Sequence, residues 1–157
     1  MQVSLKLVIW LSVLAVSSPQ AQGPDPVRWS VAIVPTRGGT PDVVTLAVTA
    51  SIEPGWKVYS LTQTSGGPYP LRIAPGGESV VLAGAVTGPT PIVQETSAFG
   101  IPVEVYGGEP RFVVPVRVGS GGSKAGAELR VRYQACTETT CLPPRTATLV
   151  AQLPGAR

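Results

Sequence analysis

The chain has 157 residues, with 12 Lys or Arg against 9 Asp or Glu, a formal net charge of +3 and no histidine at all. That length builds one domain around one core. The missing imidazole excludes Ser-His-Asp and Cys-His nucleophiles and histidine-built zinc sites. A near-balanced charge with no basic run reads as a solvated surface, so no nucleic-acid partner is expected.

In chain order, Met1 to Val16 comes first: one lysine, then the apolar run LVIWLSVLAV, then small and polar residues. This is the pattern of a secretory signal peptide. It is too short to span a bilayer, which needs about 20 apolar residues. Ser17 and Ala21 are the candidate cleavage positions, so residues 1–21 are assigned to the leader with a boundary between 17 and 22, and residues 22–157 to a single domain. No cysteine stands at the leader's exit, so no lipid anchor is expected. The mature protein is expected to be periplasmic or otherwise exported, monomeric, and not membrane-spanning. Outside the cytosol thiols are oxidised, and the only two cysteines, Cys136 and Cys141, are expected to pair.

Beyond the leader, runs with a period of two recur. VRWSVAIV (27–34) sets Val27, Trp29, Val31 and Ile33 against Arg28, Ser30, Ala32 and Val34. VVTLAVTASI (43–52) follows. GWKVYSL (55–61) then sets Trp56, Val58 and Ser60 against Lys57, Tyr59 and Leu61. Further strands are predicted over 78–86, 103–106, 111–118, 128–135 and 146–153. Pro115 inside RFVVPVRV cannot donate to a ladder, which predicts an edge strand or an outward-facing amide there. Gly- and Pro-rich stretches such as PTRGGTPD, TQTSGGPYP and GSGGSKAG separate the runs and read as turns, not as phosphate loops. Seven to nine short antiparallel strands at these intervals predict an all-β, immunoglobulin-like sandwich. Trp29 and Trp56 are expected in its core.

YQACTETTCLPP (133–144) carries both cysteines. A strand enters Cys136 and another leaves after Cys141, which puts the pair on a hairpin around the four residues TETT. Opposed residues of an antiparallel pair are within disulfide reach, and Pro143 and Pro144 stiffen the exit. Closing so small a loop is worth about 2 kcal/mol in the chain-entropy model, against nearly 5 kcal/mol for a loop of about a hundred residues. The bridge is therefore a poor staple, yet spacing alone leaves an inert local disulfide and a redox pair equally open. A non-enzymatic binding sandwich is the alternative reading. Capture of a soft ion such as Cu(I) by the reduced pair is a third.

The cysteine segment with its Tyr-Gln prefix and Pro-Pro suffix resembles the active-site hairpin of the family of N-terminal periplasmic domains of DsbD, the thiol–disulfide interchange protein. GWKVYSLTQTSGGPYPLRI (55–73) and FGIPVEVYGGEPRFVVPVRV (99–118) fall in the family's order, and the resemblance spans roughly residues 27–152. It implies an immunoglobulin-like fold and a Cys136–Cys141 pair that relays electrons from a thioredoxin-like domain, fed through a membrane partner, to periplasmic thioredoxin-like proteins. No cofactor and no metal are expected. By the same resemblance Cys141 is the exchanging sulfur, Cys136 resolves, and Phe99 is an aromatic cap. Tyr106 and Tyr133 are candidates for lining the site, with plain core packing the alternative for all three aromatics. Ser97 and Ala98 stand where the family carries acids before the cap, leaving Glu95 as the nearest acid there. Glu138, inside the loop, is expected either to disfavour a thiolate or to be a solvated turn charge. No thioredoxin or membrane domain is expected within the chain, so a separate reductase is expected to reset the pair.

Overall fold

A computed structural model describes residues 24–35, 42–63, 67–78, 80–95, 100–119 and 126–153. The leader and Phe99 lie outside these residues. Eleven strands run in chain order: β1 (Val27–Val34), β2 (Val43–Ile52), β3 (Lys57–Tyr59), β4 (Arg72–Pro75), β5 (Val80–Leu82) and β6 (Ile92–Gln94). They continue with β7 (Val103–Tyr106), β8 (Arg111–Val118), β9 (Ala127–Tyr133), β10 (Ala135–Cys136) and β11 (Arg145–Ala151). All pairings are antiparallel. Three sheets result, in the orders β1-β2-β8-β5, β10-β3-β7-β6 and β11-β9-β4.

The first sheet forms one layer. Its core face follows from alternation: Leu46, Val48 and Ala50 on β2, with Phe112, Val114 and Val116 on β8, are wholly buried. Against them pack Val58 and Tyr106 of the second sheet and Leu71, Ile73, Leu129, Val131 and Tyr133 from the side of the third. The fold is an all-β sandwich of the immunoglobulin-like kind. Trp29 packs on this core between Phe112 and Tyr133, with ring centroids 6.3 and 5.2 Å away, and Trp56 borders it.

The strand count exceeds the expected seven to nine for physical reasons. β4 and β6 are four and three residues long and stand among prolines, so neither shows a period. The run 128–135 breaks at Gln134, where the chain passes from the third sheet to the second. Pro115 is not on an edge strand, since β8 lies between β2 and β5. The missing amide falls where β5 ends: Ala83 donates to the Pro115 carbonyl (2.9 Å), and the chain rejoins β8 only at Thr87, which exchanges two bonds with Val113 (3.0 and 2.8 Å). Gly88 follows at once, and a Cβ there would meet the Phe112 ring at 2.6 Å, so the return needs a glycine.

Candidate functional site

The β9–β11 hairpin ends in the sulfur pair. Leu142 donates to Ala135 (2.9 Å) and Thr137 to Thr140 (2.8 Å), so Cys136 and Cys141 stand opposite each other, Cα atoms 4.1 Å apart, and are disulfide-bonded. The turn between them holds no glycine. Its backbone is fixed by the Thr137 hydroxyl, which accepts the amides of Thr139 (3.3 Å) and Thr140 (3.1 Å).

The flanking residues of the motif have structural reasons. Gln134 sits at the break between β9 and β10. Its side-chain oxygen accepts the Tyr69 amide (3.4 Å) and its nitrogen donates to the Leu142 carbonyl (3.1 Å), which replaces ladder bonds lost at the crossing. Tyr133 donates to Asp25, and Arg145 closes on the same carboxylate (3.2 Å). Burial and then Asp25 push the Tyr133 phenol well above its ordinary range, so it stays a donor.

The two cysteines differ in environment. Cys136 is fully buried in a small second cluster with Tyr59, Val103 and Val105, on the face of the second sheet that turns away from the main core. Cys141 is exposed. Register explains the neighbours: Cys136 pairs with Lys57 and Tyr59 with Val105, so Cys136, Lys57, Tyr59 and Val105 share one face. The Tyr59 hydroxyl lies 3.9 Å from Cys141 Sγ, placed to donate to it. Burial, and next Glu138, raise the Tyr59 phenol, which keeps that proton in place. Lys57 Nζ donates to Glu138 Oε1 and to Gln94 Oε1, each at 2.8 Å.

Of the residues expected at the site, the structure brings Cys136 and Cys141 together, with Glu138 at the turn. Tyr106 and Tyr133 lie in the main core, Tyr106 edge-on to Phe112 at 5.2 Å. Glu95 is exposed at the end of β6. Lys57, Tyr59 and Gln94 were not singled out from the sequence. The alternation in GWKVYSL already grouped Lys57 with Tyr59, but only the long-range pairing of β3 with β10 reveals what that face meets. Among the described residues no group of three or more metal-ligating side chains occurs, and no helix is long and apolar enough to cross a membrane.

The sequence that builds this sandwich is matched by a family model. The N-terminal domain of the thiol:disulfide interchange protein DsbD aligns over residues 26–153. The chain belongs to the DsbD N-terminal family. Among solved structures, the N-terminal periplasmic domain of ScsB from Proteus mirabilis is similar, with 17% sequence identity and a TM-score of 0.49. That match covers 79% of this chain and 45% of the ScsB chain, so this chain corresponds to less than half of that relative's length. A comparison with curated proteins finds no match.

Proposed function

We propose that this chain is an exported thiol–disulfide exchange module, passing reducing equivalents between a thioredoxin-like reductase and envelope partners through Cys136 and Cys141. Family membership supports the class of chemistry. The observation that carries the reading is the asymmetry of the pair: Cys141 is exposed and Cys136 wholly buried, five residues apart. Exchange needs one accessible sulfur for the partner and one shielded sulfur that waits for the second step.

In the donating direction the reduced Cys141 thiolate attacks a sulfur of the partner disulfide. A mixed disulfide forms and one partner thiolate leaves. Cys136, as thiolate, then attacks Cys141 Sγ, re-forms the internal bond and expels the second partner thiolate. The partner gains two electrons and takes two protons from solvent, replacing the two that the module's thiols released. A dithiol of the thioredoxin-like class, itself fed by a membrane electron-transfer partner, runs the same steps backwards to reset the pair. The leader over residues 1–21, with release near 17–22, supplies the route to the periplasm, and the domain over 22–157 acts as a monomer in this reading.

Trapping tests it. Cys136→Ala leaves Cys141 unable to resolve, so envelope extracts should yield a mixed disulfide through Cys141, identified by mass spectrometry. Cys141→Ala should yield none. Equilibration of the wild type in glutathione buffers supplies the second arm. A potential far below about −300 mV, where inert structural bridges lie, would sink the reading in favour of a binding sandwich with a passive disulfide.

A further inference from the structure

Lys57 stands out on the sulfur-bearing face. It is the direct cross-strand partner of Cys136, which puts the two Cβ atoms about 4.5–5.5 Å apart. Its side chain is only 13% exposed, while the carboxylate that pairs with it, Glu138, is 82% exposed. The ammonium is thus the poorly solvated member of the pair and the carboxylate the screened one. The other groups facing the sulfurs are Tyr59, whose phenol is neutral, and Gln94. Glu95 is exposed beyond the end of β6, and Glu104 on β7 is committed to Ser60 and Thr62. Lys57 supplies the cationic charge of this face among the described residues.

Cys136, once reduced, must ionise before it can resolve a mixed disulfide, yet it is fully buried, and burial disfavours a thiolate. We propose that Lys57 is the positioning residue of the resolving step: its ammonium turns from Glu138 toward Cys136 and holds the buried thiolate. Glu138 competes for the same ammonium and so restrains that thiolate. This rests on the exchange reading above and adds an assignment for a side chain that is not a sulfur.

The test uses glutathione as the leaving group. In reduced protein mixed with oxidised glutathione, the Cys141 thiolate attacks the glutathione disulfide, forms a Cys141–glutathione disulfide and expels the first glutathione as thiolate, so the second glutathione is the one that reports resolution. Attack by the Cys136 thiolate on Cys141 Sγ then makes the internal bond and releases the glutathione thiolate, which takes up a proton. Release is followed against pH by rapid quench. Lys57→Met should move the profile up by about one pH unit and slow release near neutral pH about tenfold, the lower end of what an adjacent opposite charge does. Lys57→Arg, which keeps the charge, should stay within about threefold of wild type. Glu138→Gln should move the profile the opposite way, to lower pH. A purely structural salt bridge predicts that Lys57→Met and Glu138→Gln, which break the same contact, move it together. Parallel shifts, or an unmoved profile in Lys57→Met, overturn the proposal while wild-type exchange leaves the function intact. A wild type that never forms the mixed disulfide overturns both. Should Lys57→Met fail to fold, Lys57→Gln, which removes the charge but keeps a polar stem, carries the same expected upward shift, and an unmoved profile there overturns the proposal.

Discussion

The first and second sheets are built to different standards. β1, β2 and β8 run for 8, 10 and 8 residues, and their inward side chains make a dry, charge-free surface. The sulfur-bearing sheet is assembled from strands of 2, 3, 4 and 3 residues, and its outward face mixes Tyr59 and two valines with an ammonium, an amide and a disulfide. The first sheet turns an apolar face to the core it shares with the other two, whereas the second sheet carries polar groups and the disulfide on its outward face. The contrast teaches that the disulfide sits on strands too short to stand alone but anchored by Val58 and Tyr106 to the deep core.

The largest break should come from the first sheet. Phe112 is wholly buried and touches both Trp29 and Tyr106, so Phe112→Ala should lose about 3–5 kcal/mol in urea unfolding, with part of the population unfolded at 37 °C. By contrast, replacing both cysteines by alanine should lose only about 2 kcal/mol and leave the fold intact by circular dichroism, while abolishing exchange with glutathione. Were the double variant as destabilised as Phe112→Ala, the bridge would be a girder and the division of labour between the sheets would be wrong.

How much of this was legible in the sequence divides along the same line. The bounds of β1, β2 and β8 coincide with the predicted runs 27–34, 43–52 and 111–118, because long strands with one buried face write their period into the residues. In the second sheet only β7 matches its predicted run, 103–106. Three residues at β6 cannot show a period, and Lys57 meets Glu138 across 81 positions of sequence, a contact fixed by register between distant strands. The cysteine pair was legible because its hairpin is local. That Cys136 is buried and Cys141 exposed was not, since the shielding face is assembled from β3 and β7.

A smaller effect sharpens the comparison at Tyr59. Tyr59→Phe keeps the ring in its cluster and removes only the hydroxyl 3.9 Å from Cys141 Sγ. Stability should change by less than about 1 kcal/mol. In the reduced protein the lost donor should raise the Cys141 thiol, so alkylation by iodoacetamide near neutral pH should slow by about two- to fivefold, with the rate recovering at alkaline pH. Equal rates at all pH values would mean that the phenol only packs.

The smallest effect lies on the same sheet but away from the sulfurs. Glu104 on β7 accepts hydrogen bonds from Thr62 and Ser60, in that order of influence, and they hold its carboxyl below the usual glutamate range. Its backbone amide meanwhile donates to Gln63 (2.7 Å), so one residue fastens the turn after β3. A depressed folded value means the native state favours the ionised carboxylate. Its stabilisation is therefore complete above the unfolded value of about 4.3 and is lost as pH falls through the lower folded value. Because the carboxylate is largely solvated, the contribution should stay under about 1 kcal/mol. Other carboxylates titrate over the same range, so the quantity to follow is the difference between wild type and Glu104→Gln in urea midpoints from pH 7 to pH 3. That difference should hold steady down to about pH 5 and then shrink. A gap that stays constant to pH 3 would show that the clamp works through shape alone, without help from charge.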